Sequence, residues 1–220
     1  MKKIVFLFIF LVAIGSLSAQ WRVGLSGGAD YNFYSINTQY QTDYHYIGRW
    51  GATAALFAQY DFFDWLGLRC EAEMVQKNHK FYRTLAYAGT NYNTRNTYIQ
   101  MPVLAQFSFG GQKVRGFANL GVYAGCWVDS HLRGTICNVL TDEIEQLNKP
   151  YDFYYKRDQR ADFGLVGGVG IEYHFLEHWA LQLEGRCYYS FISTVKQYMV
   201  IKDYRYNTTI GIQVGLNYIF

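Results

Sequence analysis

Apolar residues recur at every second position through most of the chain. Near 20–34, Trp21, Val23, Leu25, Ala29, Tyr31 and Phe33 alternate with Arg22, Gly24, Ser26, Gly28, Asp30 and Asn32. Successive side chains of a strand point to opposite faces, so this rhythm predicts a strand with one apolar and one polar side. Seven further runs repeat it, near 49–61, 65–77, 97–109, 114–128, 161–175, 179–191 and 208–220. In the third, Leu66, Leu68, Cys70, Ala72 and Met74 oppose Arg69, Glu71 and Glu73. In the last, Ile210, Ile212, Val214, Leu216, Tyr218 and Phe220 enclose Gly211, Gln213, Gly215 and Asn217, with Ile219 as the one break.

The connections between these runs alternate strictly. Tight turns, "DFFDW", "GGQK" and "FLEH", follow strands two, four and six. Long polar stretches follow strands one, three, five and seven, the longest a run of about 30 residues from Asp129. Short turns on one side and long loops on the other are the layout of an outer-membrane barrel. A soluble, lipocalin-like barrel would bury its apolar phase and expose its charges. Here the charged phase is rich in glycine, which leaves room for large side chains in a narrow lumen. The other phase is continuous Val, Leu, Ile and Ala with aromatics near the strand ends, as on a lipid-facing surface. The expectation is an all-β protein: an eight-stranded antiparallel up-and-down transmembrane β-barrel of the small OmpX/OmpA kind. The final strand, ending at Phe220, should close the barrel by pairing with the strand that begins at Trp21.

The segment "MKKIVFLFIFLVAIGSLSAQ" lies before the alternating pattern and reads differently. Lys2 and Lys3 precede an unbroken apolar run from Ile4 to Ile14 and a stretch of mostly small residues. That is the form of a secretory signal peptide. Residues 1–19 are assigned to it, with cleavage after Ala19 or one residue earlier, and 20–220 to a single barrel domain. Export and a Gram-negative outer-membrane location follow from the two readings together.

Composition supports strands: 19% of residues are aromatic, 21 of them Tyr, and there are only 2 Pro. A net charge of +3 is too small and too scattered for a nucleic-acid reader. Of four cysteines, Cys70, Cys126 and Cys187 fall on the apolar phase, where a thiol behaves as a small hydrophobe, and Cys137 falls in a long loop. No disulfide framework is expected.

Several stretches resemble the PorT-like outer-membrane β-barrel proteins of Bacteroidetes. They are "LGLRCEAEMVQKNHK" (66–80), "YIQMPVLAQFSFG" (98–110), "FANLGVYAGCWV" (117–128), "DFGLVGGVGIEY" (162–173), "LQLEGRCYYSF" (181–191) and "IGIQVGLNYIF" (210–220). The family's third-strand Glu and Lys are matched by Glu71 or Glu73 and Lys77, and its fourth-strand Pro by Pro102. A glycine usual after the lysine is Asn78 here. The resemblance implies fold and compartment, and points to no reaction. It also implies that the terminal aromatics Tyr218 and Phe220 are read by the barrel assembly machinery. One group within the family is implicated in type IX secretion.

Strand parity places Arg22, Asp30, Arg69, Glu71, Glu73, Arg115, Asp162, Glu172, Glu184 and Arg186 in the lumen. A barrel of eight strands is filled by its own side chains, so these charges should form a paired network and not an open channel. His174 and His178, with Glu177, have metalloprotease-like spacing, but they span a turn and not a helix, and no metal or other cofactor is expected. Gly164, Gly168 and Gly170 lie within a strand, which argues for lumen space over a phosphate loop. Asp43 with His45, and Asp129 and Ser130 with His131, are loop residues of a kind that could act in acid–base or nucleophilic catalysis. The outer loops hold Tyr40, Tyr44, Tyr46, Tyr82, Tyr87, Tyr92, Tyr151, Tyr154, Tyr155, Tyr198 and Tyr204, which would either seat the barrel among headgroups or bind a protein or glycan. The leading expectation is a non-enzymatic barrel with structural or surface-interaction duties and outer-membrane lipid as its surroundings. The alternatives are a part of a secretion or envelope-assembly machine and an enzyme active at the barrel rim.

Overall fold

A computed structural model gives the fold. The structure describes residues 20–38, 43–85, 88–138, 140–141, 143–196 and 203–220; the signal-peptide segment 1–19 and Tyr40, Tyr87 and Tyr198 lie outside the described residues. Among these residues there are ten strands: β1 (Gln20–Thr38), β2 (Tyr44–Phe63), β3 (Leu66–Gln76), β4 (His79–Arg83), β5 (Asn91–Gly110), β6 (Val114–Cys137), β7 (Ile144–Pro150), β8 (Ala161–Leu176), β9 (Trp179–Ser193) and β10 (Asp203–Ile219).

All pairings are antiparallel, and they close into a ring. β1 pairs with β2, β2 with both β3 and β4, and these two with β5. β5 then pairs with β6, β6 with β8, β8 with β9, β9 with β10, and β10 with β1. Because β3 and β4 share one place between β2 and β5, and β7 lies only on the far end of β6, the ring has eight places. The closing seam runs from Arg22↔Ile219 to Thr38↔Asp203, so the last strand does pair with the first. Closure leaves no strand edge to be satisfied within the ring.

The two faces of the wall separate by parity. Trp21, Leu25, Leu56, Met101, Leu120, Val169 and Ile212 all stand exposed on the outside. The alternate positions are buried, and they are mostly polar: Arg22, Ser26, Asp30, Gln59, Arg69, Glu71, Gln182, Glu184 and Gln213 among them. The fold is therefore apolar outside and polar inside. Glycine makes this filling possible at particular places. A Cβ on Gly24 would run into the Phe57 ring, and one on Gly170 would run into the Phe117 ring. Both rings are buried, and each fits because the neighbouring strand carries no side chain there.

Aromatic residues ring the wall towards both ends. At the short-turn end Trp21 packs on Tyr60, Trp65 on Phe107, and Trp179 on Tyr218, which also meets Phe220. Towards the other end Tyr31 meets Trp50 edge-on. Cys70, Cys126 and Cys187 are free thiols on the outer face.

The strands are longer than the hydrophobic rhythm indicates. β6 runs 24 residues to Cys137, and β5 starts at Asn91, six residues before the apolar pattern begins. Segments expected as loops, including Cys137, His45 and His131, therefore lie on strands that continue past the apolar band. There both faces carry Tyr, Asn, Thr and charge, so pairing continues while the apolar–polar contrast that reveals it fades.

Candidate functional site

The lumen holds most of the chemistry. At the short-turn end, Arg22 reaches Glu172 through Nη1 at 2.7 Å and pairs with Asp61 through Nε. Glu172 also accepts from Asn217 at 2.8 Å and lies 2.6 Å from His174 Nε2.

The next layer is a closed quartet. Arg69 Nε meets Glu71 at 2.6 Å, and Glu71 receives both terminal nitrogens of Arg186 at 2.6 and 3.0 Å. Arg186 also gives Nε and Nη2 to Glu184, each at 2.8 Å, and Glu184 lies 3.8 Å from Arg69. Arg69 and Glu71 stand on β3, Glu184 and Arg186 on β9, four places away in the ring of eight. The quartet thus ties opposite walls together through the centre of the lumen. Two guanidinium and two carboxylate groups balance, and all four side chains are buried. Arg69 further stacks over the Phe57 ring at 3.7 Å.

Above the quartet, Glu73 accepts from Tyr188, Gln100, Thr53 and Gln213, on four different strands. Lys77, at the break between β3 and β4, donates to Asp162 on β8 at 2.7 Å. Its ammonium lies 4.9 Å from the centre of the Tyr98 ring and 4.7 Å from that of Tyr123. An aromatic layer then covers the lumen: Val75, Tyr98 and Trp127, with Tyr151 and Phe153 from the segment after β7 packed onto them. Asp158 ties that segment down, accepting from the Tyr151 hydroxyl and from Arg157.

Of the ten charges expected in the lumen, eight join this network. Arg115 does not. It sits half-buried at the rim, where its Nη2 donates to the carbonyl of Asp64 in the adjacent turn; parity is right, but the strand has only just begun there. Asp30 is in the lumen and fully buried, yet neither carboxylate oxygen has a hydrogen-bond partner among the described residues. Both residues paired to it across the wall, Gly51 and Gly211, are glycines. A buried carboxylate without a partner costs stability. Asp30→Asn is therefore expected to leave unfolding stability within about 1 kcal/mol of wild type or to raise it, whereas loss of a partnered charge lowers it. Denaturant titration of the barrel in lipid vesicles reads this directly.

Asp61 and His174 belong to the network and were not among the expected residues. Asp61 shares the inward parity of Gln59, a signal hidden because "DFFDW" reads as a turn; β2 in fact continues to Phe63.

The loop residues with catalytic potential do not converge. Asp43 is held by Arg83, whose guanidinium keeps the carboxyl below the usual range, while His45 stacks on Tyr82. His131 meets Asn148, Ser130 donates to Asn96, and no ion pair joins Asp129 to His131 among the described residues. His174 and His178 part at the turn, His178 lying against the carbonyl of Ile219. No group of three His, Cys, Asp or Glu side chains able to hold a metal occurs among the described residues. Many of the outer tyrosines pack into the projecting strands: Tyr44 and Tyr46 on Phe81, Tyr92 on Phe81, and Tyr151 on Trp127. Tyr154 and Tyr155 stand exposed.

A family model described as "Outer membrane protein beta-barrel domain" matches residues 16–196. Among solved structures, the outer membrane protein OprG from Pseudomonas aeruginosa superposes with a TM-score of 0.56 at 15% identity, over 91% of this chain and 96% of that one. Neisserial surface protein A gives a TM-score of 0.47 at 15% identity, over 91% and 98%. Ail, the attachment invasion locus protein of Yersinia pestis, gives 0.45 at 11% identity, over 90% and 98%. No curated protein matches the sequence. At such identities the likeness to OprG speaks for the fold alone.

Proposed function

The chain belongs to the outer membrane protein β-barrel domain family, and from that premise we propose a closed, non-conducting, non-enzymatic barrel that serves the envelope structurally and through its projecting strands. The observation that carries this reading is the quartet of Arg69, Glu71, Glu184 and Arg186, which fills the lumen from wall to wall. Balanced, buried and hydrogen-bonded on both sides, it offers neither a water path nor an unengaged acid–base pair. The aromatic cover of Trp127, Tyr151 and Phe153 adds a second seal on the long-loop side. What remains for interaction is the outside of the strands that continue beyond the apolar band, with Tyr154 and Tyr155 exposed near their ends.

The stretches that resemble PorT-like barrels support a narrower placement within the family, with export through the leader at 1–19 and recognition of Tyr218 and Phe220 during assembly. They also keep a role in a secretion machine as the second reading. Purification from membranes in mild detergent separates the two. The structural reading predicts that the barrel elutes without a stoichiometric envelope partner. A stable partner in fixed ratio would overturn it in favour of an assembly component. Turnover of a lipid or peptide substrate, abolished by alanine at Asp43, His45, Asp129 and His131, would overturn it in favour of a rim enzyme.

A further inference from the structure

The outside of the projecting strands is not the same all round. Pairing lines up Ile47, Lys80, Asn93, Arg133 and Asn148 in one row across β2, β4, β5, β6 and β7. Arg95 faces His131 in the adjacent row of β5 and β6. Directly paired residues of antiparallel strands share a face. That face is the outer one here, because the alternate residues His79, Phe81, Thr94 and Asn96 are turned inward, three of them buried. One arc of the wall therefore carries Lys80, Arg95 and Arg133, with Asp129 of β6 as the one carboxylate on the same face among these described strands. None of the three cations has an ion-pair partner among the described residues.

The opposite arc differs. On the outer face of β8, β9, β10 and β1 at the same end stand Phe163, Tyr189, Phe191, Tyr204, Tyr206 and Phe33, and no charged side chain shares that face with them among the described residues. Loop position alone would not sort cations to one side in this way.

Height identifies what the cationic arc meets. Ile99 and Trp50 are exposed members of the apolar band. Arg95 lies four residues beyond Ile99 on the same strand and face. At about 3.4 Å per residue and a tilt of about 40°, that is roughly 10 Å above it. This is where the hydrocarbon gives way to headgroups, and a cation there is attracted by anionic lipid.

We infer that Lys80, Arg95 and Arg133 form a one-sided binding face for the phosphate groups of an outer-leaflet lipid. The inference rests on the reading of the chain as an outer-membrane barrel and names the lipid chemistry that one arc of it selects. Continuity with the lipid-facing band favours a lipid over a soluble anionic protein, since an occupant of this face has its apolar part beside Trp50 and Ile99. The aromatic arc offers the same depth without the charge, and so holds lipid without selecting phosphate.

The test uses the full barrel, delipidated in neutral detergent, with bisphosphorylated or dephosphorylated lipid A as probes and bound lipid counted by native mass spectrometry. Wild type should retain the bisphosphorylated form at least about tenfold more tightly, and the variant Lys80→Gln/Arg95→Gln/Arg133→Gln should lose that preference. Lys156→Gln, which removes an exposed loop cation, should keep it. Each variant is also checked for a heat-shifted band on a mild SDS gel. A folded triple variant that keeps the preference overturns the inference, as does equal binding of the two probes by wild type. Loss on Lys156→Gln alone would show general attraction in place of a face. Absence of a heat-shifted band in wild type would instead overturn the barrel reading itself.

Discussion

Replacing Arg186 by methionine should cost about 3–5 kcal/mol of unfolding stability, the usual penalty for removing one partner of a buried ion pair. Arg186 contacts Glu71 and Glu184 with all three guanidinium nitrogens. Without it, the two carboxylates share only Arg69, which is 2.6 Å from one and 3.8 Å from the other. One negative charge then remains buried and uncompensated. The penalty belongs to the stranded carboxylate more than to the lost contact, so it should be reversible. Adding Glu71→Gln and Glu184→Gln to Arg186→Met removes both carboxylates; Arg69 then loses its partners but keeps Gln182 and the Phe57 ring. Adding Glu184→Gln alone leaves the Arg69–Glu71 pair intact and should recover most of the loss. Equilibrium unfolding of the refolded barrel in lipid vesicles gives both numbers. A single-variant loss below about 1 kcal/mol, or no recovery in the double variant, contradicts a tightly paired quartet.

The second large effect is expected on the other side of the wall. Leu56 is 66% exposed and lies midway along β2 between Trp50 and Tyr60, the aromatics that mark the two edges of the band. Leu56→Arg should destabilise the barrel by about 2–4 kcal/mol, the cost of a cation at the bilayer midplane on a barrel's lipid face. Val114, at the start of β6 beside a short turn, is also exposed. Val114→Arg there should cost only about 0–1 kcal/mol, since the depth is less. In a soluble protein, arginine at either exposed site would be nearly neutral, and Leu56→Arg would relieve an exposed apolar patch. The difference between the two sites, measured in the same vesicles, is thus a reading of depth.

These two experiments probe features whose legibility in the sequence was unequal. Which residues face lipid and which face the lumen follows from period two alone, because one register shift would invert every strand. Arg69 with Glu71, and Glu184 with Arg186, are consequently legible as two inward charge pairs. That they form one quartet is not, since it depends on β3 and β9 lying on opposite walls, which only ring closure and order decide. Asp61 is concealed by a turn-like "DFFDW", and parity points Arg115 inward although the rim leaves it to a neighbouring turn. Asp30 shows the reverse case: its location is plain from parity, but its lack of a partner depends on neighbours on two other strands. The projecting strands look like loops in the sequence because Tyr, Asn and Thr occur on both their faces. The cationic arc is hidden in the sequence for the same reason, as Lys80, Arg95 and Arg133 become neighbours only through the pairing of those strands.

A plugged lumen has a direct electrical consequence. Purified barrel inserted into a planar lipid bilayer under an applied voltage should show a baseline free of unitary current steps, with insertion verified by the heat-shifted band of the recovered protein. Regular, reproducible steps from the wild-type barrel would contradict the closure by Arg69, Glu71, Glu184 and Arg186 on which the account rests.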